Sequence, residues 1–397
     1  MLKILLFPFC LLYSNNLYSP IPRDSIQLFF TNFKEISNTK KLAKVDDIIR
    51  KNIDILTHEA DNLFEKPLYS ISSKKTMPPS GDFHDYLSMA YYWWPDSSKS
   101  DGLPYIRKDG QRNPESLKIE DSRNLNIMIS MVWKLSWAYF FTENEKYASK
   151  VAQILRFWFL NPSTRMNPNL NYAQFIPGIV EGRGSGIIDF HRLPFIIESI
   201  GLISCSKFLT SQDKIGLKNW FENYLDWLQN SKNGAKESKA KNNHGSYYNT
   251  QLAICALFTG NTHVADRTFQ KSFDLISYQI DSEGKQPEEL KRTLSFMYSS
   301  FNLQAWLLLA NMAQTRGVDL WHYHSNDGRS LAKAISYLVP FATGTKKWEY
   351  NQIKPINTEG LFGLFVVASK KFNDNKYRNA ALMIEGKEDV ISKLIFR

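Results

Sequence analysis

The stretch NNHGSYYNTQLAICALF, residues 242–258, changes character halfway along. Its first eight residues, Asn242 to Asn249, crowd amide, imidazole and phenol groups together. From Thr250 the side chains turn largely apolar, with Leu252, Ile254, Cys255, Leu257 and Phe258 spaced to form the buried side of a helix over Ser246–Phe258. Asn243 or Ser246 is placed to cap that helix, and Gly245 permits close backbone approach. A helix start directs unpaired N–H groups at any anion in front of it. The cluster supplies what a site needs to recognise a carboxylate and move a proton. Taken alone, an Asn-His-Gly triplet is better explained by a cap and a structural histidine. Just upstream, KNGAKESKAK at 232–241 is polar enough to predict an exposed loop.

Helical spacing continues on both sides of this stretch. It predicts helices over Ser122–Phe141, Lys146–Phe159, Asp189–Leu209, Ser211–Leu228, His263–Tyr278, Ser299–Gln314 and Gly328–Val339. Sustained strand-like alternation is nearly absent, so the expected fold is all-α, a single core of antiparallel helical hairpins. Apolar clusters at Leu361–Val367 and Ala380–Ile384 make the tail from Lys346 a set of closing helices. Two long segments break the pattern: Lys74–Glu115, with an aromatic run at Tyr91–Trp94, and Asn167–Ile188, rich in Gly and Pro. Irregular loops of that length often carry function, and both are expected to cover one face of the helical body.

Of the 397 residues 14% are aromatic, including 10 Trp and 19 Tyr, which suits a cleft lined for sugars. The 49 Lys and Arg exceed the 39 Asp and Glu, a formal charge of +10 that favours anionic partners. Residues 1–19 have the form of a secretory leader: Lys3, an apolar run over Ile4–Tyr13, then Ser14 or Ser19 as the small residue for cleavage. Pro8 and Phe9 before Cys10 argue against a lipid-anchored form. Export leaves residues 20–397 as one mature domain and turns the positive charge away from nucleic acid, toward extracellular or periplasmic polyanions. Cys205 and Cys255 stand in apolar helical context and are expected as buried free thiols. No later segment is long and apolar enough to anchor in a bilayer.

Six stretches occur together and in order: GDFHDYLSMAYYWWPD from Gly81, DGLPYIRKDGQRNPE from Asp101, NPNLNYAQFIPGIVEGRGSGIID from Asn167, KNNHGSYYNTQ from Lys241, RTLSFMYSSFNLQAW from Arg292 and DLWHYHSNDGRSLAKA from Asp319. With them the chain resembles the alginate-lyase-like superfamily of uronate polysaccharide lyases, over about 81–340. The DFHDY and LPYIRKDG segments look more like its glucuronan-lyase branch. The resemblance implies an incomplete (α/α) toroid around a central cleft and β-elimination on a uronic-acid polymer, without a cofactor. It also implies a catalytic group of an Asn-His pair, an Arg and a Tyr, which fall here on Asn243, His244, Arg292 and Tyr298.

Those residue types suit the chemistry. Removing the weakly acidic C5 proton of a uronate places charge on the adjacent carboxylate, which Asn243 with an Arg or His donor would stabilise. Tyr298 serves as base and acid if a neighbouring cation lowers its pKa, and His244 is the other candidate base. Along the irregular segments, His84, Tyr86, Trp93 and Trp94 are candidates to stack on sugar faces, and Arg107 and Arg112 to hold further carboxylates. Asn171, Tyr172, Gln174, Arg183 and His191 form a second polar patch, with Arg192 beside it and Tyr248 as a cleft wall. His322 and His324 lack a third ligand at a persuasive spacing, so His322 is assigned to carbohydrate contact or packing and no metal site is expected. GRGSG at 182–186 follows no strand and is not a dinucleotide fingerprint. A glycoside hydrolase would need a placed carboxylate pair, which the main cluster lacks. A non-catalytic polyanion-binding protein is the remaining alternative.

Overall fold

The structure is a computed structural model that describes residues 26–386 and 388–396. The leader expected over 1–19 lies outside the described residues. Helices α1 (Phe33–Leu42) and α2 (Asp47–Phe64) precede the first expected helix. Then α3 (Asp121–Thr142) turns back as α4 (Glu145–Leu155), α5 (Leu193–Leu202) leads to α6 (Ser211–Asn230), and the short α7 (Lys232–Glu237) precedes α8 (Asn243–Thr259). The remainder is α9 (Thr262–Gln279), the single turn α10 (Pro287–Leu290), α11 (Ser295–Gln314), α12 (Leu331–Ala342), α13 (Leu361–Phe372), α14 (Asn375–Met383) and α15 (Val390–Ile395).

Burial sorts these helices into two layers. The helices α8 and α11 are buried on nearly every side, whereas α4 and α9 bury one stripe each. A helix apolar all round belongs inside, and a striped one outside. Contacts run from α3 to α5, α8, α11 and α13 in turn, an inner arc backed by α2, α4, α6, α9, α12 and α14. The molecule is therefore an incomplete (α/α) toroid, as expected.

Local chemistry moves several boundaries. Asn242 caps α8 by accepting from the His244 N–H, so the helix starts at Asn243. The span expected as one helix from Asp189 to Leu209 is a 3-10 turn over Gly184–Phe190 followed by α5, which begins beside Pro194 and ends at Leu202. The expected loop at 232–241 instead contains α7, capped by Ser231, and Glu237 at its end is buried. Gly245 is there for close approach: a Cβ would lie 2.0 Å from the Ala240 carbonyl oxygen.

The two irregular segments clasp each other over the mouth of the arc. Strand β1 (Leu87–Met89) pairs in parallel with β4 (Tyr172–Phe175), and β2 (Trp93–Trp94) pairs antiparallel with β3 (Ile106–Arg107). Beneath them the buried Asp189 accepts from Ser88 Oγ at 2.5 Å, Tyr86 Oη at 3.1 Å and Gln174 Nε2 at 2.8 Å. A buried pair, Lys74 and Asp121 at 2.7 Å, fastens the first segment to α3, and Asp121 also accepts from the Leu87 N–H. Removing one member of such a pair costs about 3–5 kcal/mol because the other is left charged and buried. Cys205 and Cys255 are both free, but only Cys255 is buried: α5 ends at Leu202 and leaves Cys205 half-buried in the turn that follows. No helix among the described residues is long and apolar enough to cross a membrane.

Candidate active site

Asn243 and His244 open α8, and each is held by a buried glutamate. Glu289, on α10, accepts from the Asn243 backbone N–H at 2.6 Å and from its Nδ2 at 2.7 Å. Both residues are 1% exposed. Burial pushes the Glu289 carboxyl up, and the Asn243 donors pull it back. The second N–H of the amide is left over, and Asn243 Oδ1 is buried without a partner. A buried acceptor left unpaired costs about 1–3 kcal/mol, which a ligand donor would relieve. His244 Nδ1 donates to Glu237 Oε1 at 2.6 Å, so Nε2 keeps its lone pair.

The second pair is held from the loop side. Arg292 donates to Asp109 through Nε, at 3.1 and 3.2 Å to its two oxygens, and through Nη2 at 2.8 Å. Thr293 adds two more bonds to the same carboxylate. Partial burial would raise the Asp109 carboxyl, but Arg292 and Thr293 outweigh it and hold it well below the ordinary carboxylate range. The Arg292 guanidinium lies over the Tyr298 ring at 3.6 Å, and Tyr298 Oη donates to Tyr92 Oη at 2.9 Å. The expected neighbouring cation is thus present but does not win: burial pushes the Tyr298 phenol up despite Arg292.

Arg183 differs from Arg292 in having no carboxylate at ion-pair distance among the described residues. Its Nη2 donates to the neutral Gln174 Oε1 at 2.7 Å, its Nε is buried and unpaired, and its guanidinium faces Trp93 at 6.0 Å. Burial lowers its pKa while Asp189 and Glu237 oppose, and an arginine stays protonated throughout. Trp93 is paired across β2 and β3 with Arg107, whose Nη2 reaches Asp109 at 2.7 Å. These contacts draw Trp93, Arg107, Gln174 and Arg183 into one cluster with the four residues above.

Other candidates fall elsewhere. Tyr86 is fully buried on Asp189 and Tyr248 is buried with its hydroxyl on the Leu228 carbonyl, so neither can face a sugar. His84 is bonded to the Arg165 carbonyl on an outer loop. His322 spends both ring nitrogens, on Asp319 and the Lys371 carbonyl, and staples the start of the 322–328 loop to the end of α13. Arg192 donates to Ser130 and lies over Phe195 inside the helical body. His191 sits one turn below the site between Tyr247 and Phe301, and burial lowers its pKa to about 4, so it is neutral there. Arg112 lies over Tyr91, and Trp94 donates to the Gln111 carbonyl, both at the loop edge. Tyr172 is half-buried on β4, and Asn171 accepts from Trp227. Sequence reasoning missed Glu237, Glu289 and Asp109. Their only signal was proximity in sequence to Asn243, Arg292 and Arg107.

A helical toroid with amide, imidazole, guanidinium and phenol groups gathered at its mouth defines a polysaccharide lyase. The profile of one protein family, alginate lyase, matches residues 70–348, and the chain belongs to that family. It is similar to an alginate lyase from Bacteroides ovatus, with 37% identity over 94% of this chain and 99% of that one and a TM-score of 0.89. Two structures of alginate lyase A1-III share the fold at lower identity. One, from Sphingomonas species A1, gives 13% identity over 91% and 94% of the two chains with a TM-score of 0.58. The other, a variant complexed with tetrasaccharide, gives 12% over 91% and 94% with a TM-score of 0.60. No curated protein matches. The chain is thus an enzyme that cleaves a uronic-acid polysaccharide by β-elimination.

Proposed function

We propose that residues 20–397 form one exported toroid domain that cleaves an alginate-type or glucuronan-type polymer, with Asn243, His244 and Tyr298 acting on the substrate and Arg292, the fourth member of the group, positioning Tyr298. Export, to the periplasm or outside the cell, is supported by the leader-like residues 1–19. The observation that carries the division of labour is the 2.6 Å contact between His244 and Glu237. With Nδ1 committed, Nε2 is the group free to accept the C5 proton, and Glu237 stabilises the imidazolium that results. Tyr298, kept protonated by burial, is the donor to the departing O4. Asn243 and Arg183 meet the uronate carboxylate, since the charge of Arg292 is already matched by Asp109. Arg292 braces the Tyr298 ring. Proton removal and proton delivery then belong to different residues, and the C4–O4 bond breaks to leave a 4,5-unsaturated end.

Digestion of polymannuronate, polyguluronate and glucuronan, followed by ultraviolet absorbance of the unsaturated ends, names the substrate. On the best of these, His244→Ala is expected to lower kcat by about 10³-fold. Turnover within a few-fold of the parent enzyme would remove His244 from the base role.

A further inference from the structure

Outside this site the structure has a groove of about 680 Å³ between the 161–168 loop and one face of α6. Three features of its lining are built for a polar, anionic chain. Arg165 is exposed and has no acidic partner among the described residues. Asn219 and Asn223, one helical turn apart, are exposed with no side-chain bond among the described residues. The other cation, Arg156, is already matched by Asp213 at 2.6 and 2.7 Å, so Arg165 supplies the net charge of the groove. Trp220 forms part of its floor and is fixed by its Nε1 bond to the Met166 carbonyl at 2.7 Å.

The groove leads toward the catalytic cluster. The α6 face that carries Asn219 and Asn223 continues one turn on to Trp227, which donates to Asn171 Oδ1 at 2.8 Å. Asn233, at the start of α7, reaches the Asn171 carbonyl, and Gly182 packs against that same oxygen so tightly that a Cβ would lie 1.9 Å from it. Arg183 follows directly, and Glu237 with His244 lies at the other end of α7. From Asn219 to Trp227 the helix rises about 12 Å. We propose that this groove is a distal subsite for the same uronate polymer: Arg165 pairs with one carboxylate, and Asn219 and Asn223 bond the ring hydroxyls of a stretch remote from the bond being cut.

The proposal rests on the lyase reading above, and its test separates the two. Arg165→Ala combined with Asn223→Ala changes only exposed side chains. On the best-cleaved polymer the double variant is expected to raise KM about tenfold, corresponding to the loss of about 1.4 kcal/mol of binding. On the shortest cleavable oligomer, which cannot span both places, kcat/KM should stay within twofold. Equal losses on polymer and oligomer, or no loss on either, would overturn the subsite. Affinity electrophoresis in polymannuronate and in glucuronan judges the groove without turnover: weaker retardation of the double variant than of the parent protein in at least one supports it, and equal migration in both counts against it even if no lyase activity is found.

Discussion

His244 and Arg292 are both oriented by carboxylates, yet the two halves of the site are anchored differently. Glu237 and Glu289 hold His244 and Asn243 from α7 and α10, within the helical body and almost out of contact with water. Asp109 and Tyr92 hold Arg292 and Tyr298 from the irregular 74–115 segment, which reaches over the toroid from outside. One half therefore forms when the helices pack, and the other only when the loop has docked. The contrast separates stability from activity: loss of Glu289 should affect both, and loss of the loop-side carboxylate should cost activity more than stability.

The largest expected effect is on the helical side. Glu289→Ala strips partners from two buried Asn243 donors and should destabilise the fold by about 2–3 kcal/mol, seen in denaturant titration, with activity lost in parallel. Asp109→Ala should cost clearly less stability than Glu289→Ala in that titration, while kcat falls about 10²-fold through misplacement of Arg292 and Tyr298. A stability loss as large as that of Glu289→Ala would erase the distinction between the halves.

Glu237→Gln sharpens it further, because an amide can present its N–H to Nδ1 and so turn the available lone pair away from the cleft. We expect kcat to fall by about tenfold to 10²-fold with the thermal midpoint nearly unchanged, and a shifted acid limb in the pH–rate profile. A fall in KM alone, with kcat and the pH profile intact, would show that Glu237 has no part in orienting the base.

The smallest effect is on pH dependence, and its sign differs between the two carboxylates. Asp109 is depressed on folding, so its contribution is fully present above the unfolded value of 3.8 and is lost as pH falls toward the folded one. Glu289 is raised by burial, so the folded state binds the proton more tightly, and stability declines as pH rises from 4.5 through the folded value. Thermal melting against pH should therefore flatten on the acid side in Asp109→Asn and on the neutral side in Glu289→Gln. The same change in both variants would refute the opposite signs.

The inner helices were legible because their apolar spacing is continuous, as in α3, α8 and α11. Asn243, His244, Arg292 and Tyr298 were legible through the ordered motifs around them. Glu237 and Glu289 were not, since KNGAKESKAK and PEELKR have the composition of solvated surface, and burial of a lone glutamate depends on which helix start lies opposite. Tyr86, Tyr248 and His322 err the other way. An aromatic or imidazole side chain has the same identity whether it lines a cleft, fills the core or staples a loop.

The sequence by itself determined the helical hairpins and the chemical types offered to the site, because periodicity and residue identity are local properties, and the toroid followed from the resemblance that its ordered motifs carry. Tertiary structure alone decided which carboxylate orients His244, why Arg183 rather than Arg292 keeps its charge open, and that the Tyr298 phenol stays protonated. Each of these turns on desolvation and on a partner between 7 and 206 residues away, and burial and pairing do not exist until the chain has packed.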